Sequence, residues 1–233
     1  MNLGIAEIQR FTAELVGTSI LVMLGGMAIA GSTLTNSPLF IVVVPIAFAL
    51  ALVVALVTVG DVSGGHFNPA ITLAALLDRQ ISVLAAIGYM VAQFLGGILG
   101  ALGVLLVGTQ ALAGRPSAAD TIAGIRTIPT APAEFAFATE IILSALFVAV
   151  FLTVVRRDPA RLVIMLPAAY ALVHFAGIPY SAASVNPARS LGPALISTDL
   201  EFLGIYLTAP FIGAVVGWAA YRFFAIGMAD ETA

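Results

Sequence analysis

The sequence predicts an all-α membrane protein of six transmembrane helices and two re-entrant half-helices, arranged as two inverted repeats. Three observations carry that reading. First, 61% of the 233 residues are hydrophobic and 9% are charged, with a mean hydropathy of +1.11, whereas a soluble domain carries about 25% charged residues. Second, six apolar stretches are long enough to cross a bilayer, which takes roughly 20 residues in a helix. Third, the tripeptide Asn-Pro-Ala occurs twice, as Asn68-Pro69-Ala70 and Asn186-Pro187-Ala188, each between two of those stretches.

The first span covers about 10–31. Glu7 and Arg10 precede a run long enough to cross, so it is expected to stay in the mature chain rather than be removed as a leader. The second span covers 39–60. Asp61 to Phe67, including Gly64-Gly65, is rich in loop formers and reads as a lead-in to a half-helix. Asn68 is a favoured N-cap, and Pro69 suits the first helical position, where its missing N–H is no loss. The helix that follows, 69–78, is too short to cross. The third span is 82–108 and the fourth 131–155, joined by a long loop, 110–130, that holds Arg115-Pro116 and Pro129. The fifth span is 162–180, Gly177 to Val185 is the second lead-in, 187–197 the second half-helix, and 202–224 the sixth span.

The halves match along their length. Glu14 corresponds to Glu140, Asn68 to Asn186, and Gly96 and Gly100 to Gly213 and Gly217, at offsets of 126, 118 and 117 residues. Three spans per half is an odd number, so the second half is inverted in the membrane. The chain therefore reads as one transmembrane domain, 1–233, with repeats of about 1–110 and 131–233 linked by 110–130. Inverted repeats with interrupted helices place their site near the midplane, and irregular backbone is tolerated there only inside protein or beside a wet cavity.

All nine cations are arginine. With the N-terminus inside, Arg10, Arg79, Arg156, Arg157, Arg161 and Arg222 are cytoplasmic, Arg115 and Arg126 lie in the outside loop, and Arg189 is buried. The positive-inside rule then places both termini in the cytoplasm. The net charge of −3 shows no basic patch for nucleic acid, and with no cysteine there is no disulfide framework, thiol catalysis or thiolate metal site.

Each half-helix start aims a partial positive charge and unpaired donors at the midplane. An asparagine that caps through its oxygen keeps its amide NH₂ to donate. Two such amides facing one lumen hold a passing molecule by its oxygen and interrupt a proton wire, while the helix starts repel cations. Arg189 has an apolar counterpart, Ile71, and an arginine this deep is a functional candidate or a side chain reaching for the interface. Glu14 and Glu140, at matching places, read as acceptors for the re-entrant loops, and His66 as a hydrogen-bonding residue of the first loop. Gly96/Gly100 and Gly213/Gly217 have small-xxx-small spacing, expected to bring helices together across the internal two-fold.

Ser63-Gly64-Gly65-His66-Phe67-Asn68-Pro69-Ala70-Ile71-Thr72 and Val185-Asn186-Pro187-Ala188-Arg189-Ser190, on six spans in two inverted halves, resemble the aquaporins of the major intrinsic protein family over nearly the whole chain. The resemblance is to the water-selective, bacterial type. It implies an aquaporin-like fold, a homotetramer with one pore per subunit, and residence in the plasma membrane, or the inner membrane of a bacterial cell. The permeant is water, and no cofactor, metal or energy source is implied. It also implies a selectivity filter of Phe48, His174, Ala183 and Arg189. Phe48 supplies a wall, His174 and Arg189 supply donors, and the small Ala183 exposes backbone. Taken singly, Phe48 reads first as a core or lipid-facing aromatic and His174 as an interior histidine; it is their agreement with the water-selective pattern that lowers those readings.

His174, Ser190 and Ala194 follow the water-channel pattern. Leu207 after Tyr206 is closer to the glycerol-channel pattern, and Ala182-Ala183-Ser184 stands where glycines or a threonine are more familiar. Glycerol, hydrogen peroxide or another small neutral solute is the alternative cargo. A scaffold on the same fold is a third reading. An intramembrane enzyme would need a nucleophile–base pair or metal cluster that the sequence does not offer.

Overall fold

A computed structural model describes residues 4–111 and 125–229 of the chain, and its regular structure is helical throughout. Arg115 and Pro116, with most of the 110–130 connection, lie outside the described residues. The helices are α1 (Ile5–Leu34), α2 (Phe40–Ala55), α3 (Pro69–Leu77), α4 (Val83–Ala111), α5 (Ala133–Arg157), α6 (Leu162–Ser181), α7 (Pro187–Ser197) and α8 (Leu203–Ala229). Among the described residues, six helices have the length and apolarity to cross a membrane: all but α3 and α7, with α2 continuing to Ser63.

The surface is apolar and the interior holds the polar groups. Leu50, Leu106, Leu146 and Leu172 are exposed, while Glu14 and Glu140 are wholly buried. That inversion suits a hydrocarbon solvent, which cannot satisfy polar atoms.

The half-helices form by local capping. Asn68 is extended and its side chain accepts the Ala70 N–H, with Pro69 in the first turn. Asn186 is extended too and accepts from the Ala188 and Arg189 N–H groups, with Pro187 in the same place. With 9 and 11 residues, these helices rise about 14 and 16 Å at 1.5 Å per residue, half of a hydrocarbon core of about 30 Å.

The two lead-ins turn differently. After α2 a wider π-type turn, Leu56–Gly60, and a short turn, Asp61–Ser63, run into Gly64 at φ 92° and Gly65 at φ 67°. After α6 the matching positions are Ala182 at φ 60° and Ala183 at φ 50°. Left-handed backbone costs a residue with a Cβ about 1–2 kcal/mol, which explains why glycine suits these positions. Ala182→Gly is therefore expected to stabilise the protein by about 0.5–1 kcal/mol after the entropy that glycine loses on folding. Thermal melting in detergent checks this, and a lower melting temperature contradicts it.

The glycine pairs do not meet across the two-fold. A Cβ on Gly96 or Gly100 would strike the carbonyls of Leu15 and Ser19 in α1, and one on Gly213 or Gly217 those of Ile141 and Ala145 in α5. Each pair seats a helix against a partner in its own half. The small-residue spacing marks a close face but does not say which helix fills it. Among the glycines, those that meet the other half are Gly97, whose missing Cβ makes room for the Ala188 carbonyl, and Gly192, which packs on the Gly97 carbonyl. These join α4 to α7.

Ion pairs tie the ends. Arg222 of α8 lies 3.6 Å from Asp78, which closes α3. On the opposite face Arg126 pairs with Asp199. The Glu201 amide, and then the Arg126 guanidinium, hold the Asp199 carboxyl below its ordinary range.

Candidate functional site

The site begins with the two buried glutamates. Glu14 Oε1 accepts from Ser63 Oγ at 2.6 Å and the His66 N–H at 3.0 Å, and its Oε2 accepts from the Phe67 N–H at 2.7 Å and Gln93 Nε2 at 2.6 Å. Glu140 repeats this with Ser181 Oγ at 2.7 Å, the Ser184 N–H at 2.9 Å and the Val185 N–H at 2.7 Å. In the turned lead-ins the His66, Phe67, Ser184 and Val185 N–H groups have no helical acceptor, so a carboxylate with several lone pairs takes them. Tyr89 and Tyr206 add a second tie, donating to the Ser63 and Ser181 carbonyls at 2.7 and 2.8 Å. Their offset of 117 equals that of the glycines, a repeat signal the motif pattern left unused.

The carboxylate hubs present Phe67 and Val185 at φ 46° each, just before the asparagines. That unusual backbone turns each carbonyl across the junction. Asn68 Nδ2 donates to the Val185 carbonyl at 2.8 Å, and Asn186 Nδ2 donates to the Phe67 carbonyl at 2.9 Å. The two half-helix starts thus meet and are reciprocally bonded. This corrects the expectation of two free amide groups: one N–H of each NH₂ is spent on the opposite loop, leaving one. The crossed carbonyls need those donors, because a buried carbonyl left unpaired is costly.

The remaining predicted residues sit beside this junction. Phe48 and His174 stack with ring centroids 5.0 Å apart and 20° between planes. The Arg189 guanidinium carbon lies 5.0 Å from the Phe48 ring centroid. Gly25 faces the Phe48 ring, where any Cβ would collide with it. Phe48, His174 and Arg189 are brought together, all at or below 4% exposure. Ala183 is buried next to Gly177 on the lead-in, one residue before Ser184. His66 sets Nδ1 3.1 Å from Thr72 Oγ1 and packs edge-on against Tyr89 and Phe151.

His174 Nδ1 lies 2.8 Å from the Tyr170 carbonyl. A carbonyl only accepts, so that nitrogen carries the proton, and in the neutral ring Nε2 is then an acceptor. Sequence reasoning gave His174 and Arg189 both as donors; the backbone bond changes the histidine's part. Nε2 has no partner among the described residues. Arg189 donates to Thr127 Oγ1, and Thr127 Oγ1 also lies 2.7 Å from Ser190 Oγ. Thr127 comes from the end of the long connection, where no motif marks it. By the offset of 118, the counterparts of His174 and Arg189 are Leu56 and Ile71, both buried and apolar, so this polar pair has no equivalent in the first half. A cavity of about 410 Å³ opens between the end of α2 and the α5–α6 connection, lined by Leu56, Gly60, Gly64, Val155 and Val163.

Comparison with known proteins agrees with this architecture. The model of the major intrinsic protein family matches residues 4–221. The glycerol uptake facilitator protein-like 6 of Lactiplantibacillus plantarum is 32% identical over 89% of this chain and 94% of its own length. Aquaporin Z of Photorhabdus laumondii is 31% identical over 92% and 96%, and the probable aquaporin TIP3-2 of Arabidopsis thaliana 36% over 97% and 86%. The X-ray structure of the aquaglyceroporin from Plasmodium falciparum superposes with a TM-score of 0.82 at 23% identity, covering 97% of this chain and 99% of that one, a likeness of fold. With paired half-helices, six spans and a family match over almost its full length, the chain belongs to the major intrinsic protein family, whose members are multi-pass membrane channels.

Proposed function

We propose that this channel conducts water passively and in single file, excluding protons and ions. The observation that carries the reading is the convergence of Phe48, His174 and Arg189 beside the reciprocally bonded asparagines. Phe48 limits width, Arg189 donates, His174 accepts through Nε2, and Ala183 keeps one wall small. Asn68 and Asn186, which cap the half-helices opening with Pro69-Ala70 and Pro187-Ala188, each keep one N–H for the permeant's oxygen. Both helix starts and Arg189 add positive potential against cations. Glu14, Glu140 and His66 hold the loops that present these groups. The cavity near Leu56 and Gly64 serves as one vestibule. The arginine distribution supports cytoplasmic termini in this reading, and its assembly is a homotetramer in the plasma membrane, or the inner membrane of a bacterial cell.

Reconstituted into vesicles, the protein should shrink them under an osmotic gradient faster than bare lipid and with a lower activation energy. A rate equal to lipid would remove the reading. A second reading, a pore for glycerol, hydrogen peroxide or another small neutral solute, is favoured by the small Ala183 and by Leu207, and the named relatives include both kinds. His174→Ala is expected to widen the constriction and admit glycerol, seen as swelling in an isotonic glycerol gradient. Unchanged exclusion in that variant would argue against His174 as a wall of the filter.

A further inference from the structure

One turn of α6 before His174 stands Tyr170, which neither motif marks. Its ring packs edge-on to His174 with centroids 4.3 Å apart and to Phe48 at 6.1 Å. Tyr170 is 1% exposed, yet its hydroxyl has no hydrogen-bond partner among the described residues. The three other buried tyrosines are all satisfied: Tyr89 and Tyr206 donate to loop carbonyls, and the Tyr221 hydroxyl accepts from Arg156. A buried phenol without a partner is costly, and interiors rarely tolerate it.

The second unpartnered polar atom here is His174 Nε2. Residues four apart lie on one face of a helix, one above the other, so both atoms stand on adjacent turns of the face that meets Phe48. Four residues rise about 6 Å along a helix. The ends of α6 and α7 both meet the 126–131 segment, at Tyr180 and Asp199, so Tyr170 lies on the same side of His174 as Asn186 lies of Arg189. The arrangement has the form of a path whose occupant satisfies each group in turn.

We propose that Tyr170 is a further specificity-determining residue of this pore. Its hydroxyl is a hydrogen-bonding station between the constriction and the paired asparagines, and its ring is a second limit on width. This rests on the channel reading above. A phenol both donates and accepts, so it serves water in either orientation, linking the acceptor His174 to the donating asparagine amides. A hydroxyl-bearing solute larger than water must clear the ring as well as Phe48.

Wild-type protein, Tyr170→Phe and Tyr170→Val are reconstituted in parallel, with water flux, its activation energy, glycerol swelling and melting temperature read for each. Tyr170→Phe keeps the ring and breaks no bond within the protein. It should melt no lower than wild type while conducting water about five-fold more slowly, the effect of one lost hydrogen bond, with a higher activation energy. Tyr170→Val should admit glycerol that Tyr170→Phe still excludes; Tyr170→Leu replaces it if the valine variant does not fold. Variants matching wild type in flux, activation energy and glycerol exclusion would overturn this proposal alone. So would a phenylalanine variant that loses flux only in proportion to lost stability. Wild-type flux no greater than lipid would overturn the channel reading and this one with it.

Discussion

Replacing Glu140 with alanine is expected to cost most of the folded protein. Its carboxylate is the acceptor for Ser181 Oγ and for the Ser184 and Val185 N–H groups, at 2.7–2.9 Å and fully buried. A buried donor left unsatisfied costs about 1–3 kcal/mol, so three approach the whole stability of a typical domain, about 5–15 kcal/mol. The damage would spread to function, because Val185 presents the carbonyl that Asn68 binds. Glu140→Gln keeps the volume and one oxygen, and should lose less. Yield of monodisperse protein and melting temperature in detergent read both. An alanine variant that melts with wild type would mean that water or another group satisfies the lead-in. Glu14→Ala should behave alike, with Gln93 losing a partner as well.

Removing the charge at Arg189 should open the pore to cations. At about 4 Å and an effective dielectric of 20, one unit charge opposes another by about 4 kcal/mol, roughly a thousand-fold in rate. Arg189→Val deletes that barrier together with the contacts to Phe48 and Thr127. A pH-sensitive dye inside vesicles should report proton entry far above wild type under an imposed gradient. Arg189→Lys retains the charge and should leak much less. If the valine variant conducts water and leaks no more than wild type, Arg189 does not face the path.

The parts of this fold that were legible in the sequence are those set by local chemistry. The spans follow from apolar length, and the half-helices from an asparagine cap followed by proline. That Phe48, His174 and Arg189 converge was legible only through resemblance, since nothing local joins Phe48 to His174 or Arg189. What escaped was long-range. The bonds from Asn68 to Val185 and from Asn186 to Phe67 pair residues more than a hundred positions apart and depend on a carbonyl turned by positive φ. Thr127 reaches Arg189 from a connection without pattern. Among the glycines, Gly97 and Gly192 rather than the spaced pairs meet the other half, because spacing reports a close face and not its partner. The protonated nitrogen of His174 is set by a backbone carbonyl one turn back, and only coordinates give that.

The central claim is a single-file water path past Phe48, His174 and Arg189 to the paired asparagines. Its most direct test is the permeability of one batch of vesicles, measured in turn for water, glycerol and protons. Fast water flux with glycerol and proton entry at the level of bare lipid is the predicted result. Glycerol entering readily in the same vesicles would contradict the water-selective filter, and water crossing no faster than through lipid would contradict the path itself.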